Sequence, residues 1–101
     1  MARITEHEIA DEVVKFLATK VSKEATTRQI KDHIRDNVKL SPEDHAPSST
    51  REGEEMWEQQ VRNIVSHRMT PSNAIYEGYL SRPSKGKLRV TPKGEQYSRN
   101  I

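Results

Sequence analysis

The chain has 101 residues, which is the size of one small domain, and only 32% of them are hydrophobic, so its core must be modest. A formal net charge of +2 is too small to indicate a nucleic-acid partner by itself. The absence of cysteine excludes disulfides and thiolate metal sites, and no apolar run has transmembrane length, so we expect one soluble cytoplasmic domain over residues 1–101 with no membrane contact.

The first helix is predicted to begin after a Thr5 cap. Glu8 has the spacing of a capping box, and Ile4 and Ile9 occupy the positions of a hydrophobic staple. The apolar residues that follow recur at helical spacing on one face, namely Ile9, Val13, Phe16, Leu17 and Val21.

A second helix is predicted from a cap at Thr26 or Thr27 to about Val38, because Ile30, Ile34 and Val38 repeat every four residues. The link at residues 23–26 is expected to form a small edge strand. Two helices with a brief connection are compatible with the first half of a helix-turn-helix.

Residues 40–53 are expected to form a mobile loop. Ser41 and Pro42 suit the N-cap and first position of a single helical turn. Residues 48–51 combine three hydroxyls with Arg51 just before a helix, which suits a phosphate. Acidic residues follow at once and would repel that phosphate, so a plain helix cap explains the same pattern equally well.

Charge is unevenly distributed along the chain. Residues 40–57 carry a net charge of −4, whereas residues 79–101 carry +5. We therefore expect the molecule to have an acidic side and a basic side.

The third helix is predicted to begin near Glu54. One face carries the apolar side chains Trp57, Val61, Ile64 and Val65. The opposite face carries side chains that can bind base edges, namely Gln59, Arg62, Asn63 and Ser66. A helix face that is simply exposed to solvent would carry similar residues. The basic segment that follows this helix makes DNA contact the favoured interpretation.

That segment reads as a hairpin. Gly78 ends a helical turn, a short strand leads to a tight turn at Lys85-Gly86, and a second strand leads to a helix that starts at Thr91. Leu80, Leu88 and Val90 are expected to point inward. The outward positions are basic: Arg82, Lys85, Lys87 and Arg89. They suit phosphate or minor-groove contact, although basic residues also protect an edge hairpin from aggregation.

No other pattern indicates chemistry. The four histidines lack metal-ligand spacing, and the sequence has neither a catalytic constellation nor a glycine-rich phosphate loop. We therefore expect no catalytic residue, no metal, no cofactor and no enzymatic activity.

Three stretches resemble a known group of proteins: WEQQVRNI (57–64), IYEGYL (75–80) and LRVTPKG (88–94). They are similar to the winged-helix modules attached to restriction endonucleases, including the N-terminal domain of Mrr-like enzymes and domains beside HNH nucleases. The resemblance implies a mainly α fold with a small β-hairpin wing (α+β), that is, a winged helix-turn-helix. It also implies duplex-DNA contact by Arg62, Asn63 and Ser66 and by Lys85, Lys87 and Arg89, and it carries over no nuclease activity.

The sequence thus favours sequence- or modification-directed binding of double-stranded DNA. The chain would be a targeting module of a restriction-type protein, with a nuclease domain or other protein as partner, or a small transcription regulator. A winged-helix protein-interaction module is the alternative, and a small hydrolase is a distant third.

Overall fold

The computed structural model describes residues 3–101. Within that range the chain forms four α-helices, one short 3₁₀ turn and three strands. In chain order these are α1 (Glu6–Thr19), β1 (Glu24–Thr26), α2 (Thr27–Asn37), the 3₁₀ turn (Pro42–His45), α3 (Met56–Ser66), β2 (Leu80–Ser81), β3 (Lys87–Val90) and α4 (Pro92–Ser98). The expected mainly helical α+β class is confirmed. None of the helices in the described range is long and apolar enough to cross a bilayer.

The three strands form one antiparallel sheet with β3 in the centre. Ala25 of β1 lies opposite Leu88, and Leu80 of β2 lies opposite Val90. Leu80, Leu88 and Val90 are buried, as the alternation predicted. The edge strand expected at residues 23–26 is also confirmed.

The capping box of α1 is confirmed. The backbone N–H of Glu8 donates to Thr5 Oγ1 at 3.1 Å, and that of Thr5 donates to Glu8 Oε1 at 3.0 Å. The apolar face predicted for α1 is wrong at its last residue, Val21. Helix α1 ends at Thr19, and Val21 is fully exposed. The chain must turn there to enter β1, with Lys23 in the left-handed region at φ 62°.

The core lies between the first three helices and the inner face of the sheet. Ile30 and Ile34 of α2 are completely buried, as is Ile64 of α3. Trp57 is buried too, and its Nε1 donates to Glu55 Oε1 at 2.8 Å. Helix α2 begins and ends as predicted, and α3 begins at Met56, within two residues of the predicted start near Glu54.

Helix α4 packs across α1. The rings of Tyr79 and Tyr97 are stacked with their centroids 4.1 Å apart. The Tyr97 hydroxyl donates to Asp11 Oδ1 at 2.7 Å, which joins the two ends of the described chain.

The segment at residues 40–53 has defined contacts in the structure. The predicted turn forms at Pro42, and the buried Asp44 accepts hydrogen bonds from the backbone of Ile4 and of Ser41. The backbone N–H of Ser48 donates to the carbonyl of Glu54 at 2.7 Å. The mobility of this segment stays a prediction.

Candidate nucleic-acid interface

A groove of about 390 Å³ lies between the start of α2, the outer part of α3 and the hairpin of β2 and β3. Six predicted DNA-contacting residues line it, namely Arg51, Arg62, Ser66, Arg82, Lys85 and Lys87. These residues come from three separate segments of the chain. We call this feature the basic groove, because its lining contains six cations, including Lys31, and a single carboxylate, Glu54.

A backbone hydrogen bond joins the tip of the hairpin to the start of α2. The backbone N–H of Thr27 donates to the carbonyl of Gly86 at 2.9 Å, and that of Lys87 donates to the carbonyl of Ser84 at 3.1 Å. Gly86 has φ 82°, the left-handed conformation that glycine adopts without steric cost. Lys85, which precedes Gly86 in this turn, is exposed and lines the groove.

The basic residues of the hairpin differ in their partners. Lys87 and Arg89 both pair with Glu24, at 3.5 Å and 3.0 Å. Arg82 and Lys85 form no ion pair with any residue in the described part of the chain. Arg89 lies opposite Glu24 in the sheet and does not line the groove. Arg82 and Lys85 are therefore the hairpin charges most available to an anionic ligand.

Arg62 is held by a buried acid. Its Nε donates to Glu54 Oε2 and its Nη2 to Glu54 Oε1, each at 3.0 Å. Nη2 also donates to Thr50 Oγ1 at 2.7 Å. The hydrogen bond from Arg62 holds the pKa of the Glu54 carboxyl below its usual value, although burial acts in the opposite direction.

The polar residues predicted for the outer face of α3 do not all lie in the same place. Arg62 and Ser66 line the basic groove, whereas Gln59 and Asn63 contact other residues. Gln59 Oε1 accepts hydrogen bonds from Ser48 Oγ at 2.5 Å and from Thr50 Oγ1 at 3.3 Å, so Gln59 is turned toward the preceding loop. Asn63 Nδ2 donates to Gln60 Oε1 at 3.3 Å. Neither Gln59 nor Asn63 lines the basic groove, so the structure groups only part of the predicted face with the hairpin.

Sequence reasoning missed two lining residues of α2. Thr27 and Lys31 both line the groove, and Lys31 lies 3.5 Å from Glu58 of α3. Their spacing of one helical turn places them on the same face of α2. This spacing identifies Thr27 and Lys31 as groove residues only when the start of α2 is known to lie against the hairpin.

The histidines are engaged elsewhere. Each pairs with a carboxylate: His7 with Asp11, His33 with Glu12, His45 with Glu55 and His67 with Glu6. Among the residues that the structure describes, no group of histidines and acids is arranged to hold a metal ion. The expectation that the chain has no catalytic activity stays a prediction.

Comparison with known protein families identifies the family of this domain. The model of the family described as Mrr N-terminal domain matches residues 7–100. No curated protein and no solved structure has a significant match to the chain. The matched range includes all four helices except the first residue of α1, the whole sheet and the basic groove.

Proposed function

Since this chain belongs to the Mrr N-terminal domain family, we propose that it binds double-stranded DNA through the basic groove, as the targeting module of a restriction-type protein. The family confirms the resemblance read from the sequence and supports a restriction context. A nuclease domain is the partner that this context suggests, and a small regulator is the other setting that the same binding would suit.

One observation carries the proposal of DNA binding. Arg51, from the loop before α3, and Arg82 and Lys85, from the hairpin, converge on one groove and form no salt bridge within residues 3–101, although Arg51 lies near enough to Glu54 to act on its charge. Unpaired cations that cluster on one surface are what a phosphate backbone requires. Other cations without a carboxylate partner in the described chain, such as Lys20, Arg28 and Lys39, lie outside this groove, so the convergence of several such cations on one surface supports the proposal.

We also propose that the fold works as a winged helix. The order of helices and strands, with β3 between β1 and β2, supports this assignment. In such a module α3 lies along the major groove and the hairpin touches the adjacent backbone. Arg62 and Ser66 would then face base edges, with Gln59 and Asn63 at the border of the contact. Arg82 and Lys85 would contact phosphates more strongly than Lys87 and Arg89, whose charge Glu24 offsets.

The test is a titration of labelled random duplex DNA at several salt concentrations. Replacing Arg82 and Lys85 together by Ala should weaken binding to every duplex and flatten the slope of log affinity against log salt by about two. The matched control replaces Lys39 and Arg99 together by Ala, because both are exposed and lie outside the groove. Equal slopes for the wild type and the Arg82/Lys85 variant would remove the groove as a DNA contact.

A protein-interaction module remains the second candidate. Met69 and Tyr76, both in the connection between α3 and β2, are 81% and 52% exposed. A partner that covered these two side chains would remove their apolar surface from water, which favours association. A wild-type protein that shows no salt-dependent DNA binding would favour this candidate over DNA targeting.

A further inference from the structure

A carboxylate inside the basic groove requires an explanation. The side chain of Glu54 is 6% exposed, and Glu54 is the single acid among the described residues that line the groove. An acid in this place weakens the attraction of the surrounding cations for phosphate. A groove built for affinity alone would therefore not contain it.

The geometry of the pair shows what Glu54 does to Arg62. Two parallel hydrogen bonds engage the Nε and Nη2 edge of the guanidinium, and Thr50 takes a further N–H of Nη2. Nη1 forms no hydrogen bond within residues 3–101, so its two N–H groups are left for a ligand. A paired planar fork of this kind holds one orientation, which a lysine cannot reproduce.

The charge of the pair matters as much as its geometry. Arg62 and Glu54 together carry no net charge, so the pair releases few counterions on binding DNA. A fixed N–H donor can still bind a neutral acceptor, such as an oxygen or nitrogen at a base edge. Phosphate contacts give affinity without sequence information, whereas base-edge contacts give discrimination.

From this we infer that Glu54 is a positioning residue that makes Arg62 a reader of base edges rather than a phosphate contact, and that it thereby sets sequence discrimination. The inference rests on the proposed DNA binding and names the residues that give it specificity. Thr50 supports the same orientation, because its Oγ1 accepts a further hydrogen bond from Arg62 Nη2.

The experiment first selects a preferred duplex with the wild-type protein. Affinity is then measured on that duplex and on a scrambled one, at about 50 mM and about 200 mM salt. Glu54→Gln should bind the scrambled duplex more tightly, with a salt slope steeper by about one, so that it loses about 3.5-fold more affinity across this range. The ratio of the two affinities should fall by at least about fivefold.

Two further variants separate charge from geometry. Arg62→Lys keeps both charges, so its salt slope should match the wild type while its discrimination falls. The double variant with Glu54→Gln and Arg62→Gln removes both charges, so its slope should return to the wild-type value with discrimination still low. These two variants decide the matter if thermal melting shows that Glu54→Gln alone does not fold.

Results that contradict this inference can be distinguished from results that contradict the proposed function. A Glu54→Gln variant that keeps the wild-type salt slope and discrimination, or that loses affinity equally on both duplexes, would overturn this inference but not the proposed DNA binding. So would a wild type that binds every duplex equally, although DNA binding itself would stand. A wild type without salt-dependent DNA binding would overturn both the proposed function and this inference.

Discussion

At the scale of single residues, Tyr97 shows how two effects act on one hydroxyl in the same direction. Burial raises the pKa of Tyr97 to about 12, and the hydrogen bond to Asp11 contributes to the same rise. An unfolded tyrosine has a pKa near 10. The proton on Tyr97 is thus held more tightly in the folded protein than in the unfolded chain.

This difference predicts a loss of stability at high pH. Between about pH 10 and about pH 12 the unfolded state releases the proton first, so the free energy of unfolding should fall by at most about 1.4 kcal/mol per pH unit. Below about pH 10 the contribution is fully present. Urea denaturation of the wild type and of Tyr97→Phe across this range measures it. The two proteins should converge in stability as the pH rises, and parallel curves would contradict the prediction.

At the scale of the elements, the docking of α4 depends on a glycine. Thr91 caps this helix, accepting from the backbone N–H of Gly94 at 3.0 Å, and its own backbone N–H donates to the carbonyl of Tyr79 at 3.1 Å. A Cβ built on Gly94 would collide with that carbonyl and would lie 2.8 Å from Val90 Cγ2. Only a glycine allows the helix to lie this close to the sheet.

The substitution Gly94→Ala should therefore destabilise the protein, by roughly 1–3 kcal/mol in the free energy of unfolding. In an open helix the same change stabilises by roughly 0.5–1 kcal/mol, so the sign of the effect is informative. Gln96→Ala, at an exposed position of the same helix, is the control and should be nearly neutral. A Gly94→Ala variant that is more stable than the wild type would show that α4 is not docked so closely.

At the scale of the whole molecule, some of the acidic residues predicted to form one side of the molecule are buried and accept hydrogen bonds. Taken over the whole residue, Asp44 is 2% exposed and Glu54 is 7% exposed, and the partly exposed Glu55 pairs with His45 at 2.9 Å. Hydrogen bonding from His45 and Trp57 holds the pKa of Glu55 below its usual value. The acids of residues 40–57 are thus in part internal supports rather than one acidic surface.

Asp44 connects the start of the described chain to the segment before α3. Its Oδ1 accepts from the backbone N–H of Ile4 at 2.7 Å, and its Oδ2 accepts from the backbone N–H and the hydroxyl of Ser41 at 2.8 Å and 3.1 Å. Asp44→Ala should cost about 2–4 kcal/mol, because buried donors lose their acceptor. It should also accelerate amide hydrogen exchange in residues 41–46.

Asp44→Asn is the matched control, since it keeps one acceptor oxygen and should lose less stability than Asp44→Ala. The same exchange experiment tests the predicted mobility of residues 40–53. An Asp44→Ala variant with the wild-type denaturation midpoint would show that this segment folds without the anchor.

The amino-acid sequence by itself determined the local structure. The capping residues Thr5 and Thr26 act on groups within the next four residues, and the spacing of Ile30 and Ile34 reports one face of a single helix. Alternation along β3 likewise depends only on the pleat of that strand. The family resemblance rested on the same short stretches, which is why it too could be read before the structure.

The tertiary structure alone decided which residues share a site. Val21 had the spacing of a core residue, but the turn into β1 lies beyond α1 and leaves it in solvent. The pairing of Arg62 with Glu54, and the sharing of Glu24 by Lys87 and Arg89, joins residues that no periodicity relates. Local patterns encode the faces of elements, whereas the choice of partner among like charges depends on how those elements pack, and only packing brings distant segments into the basic groove.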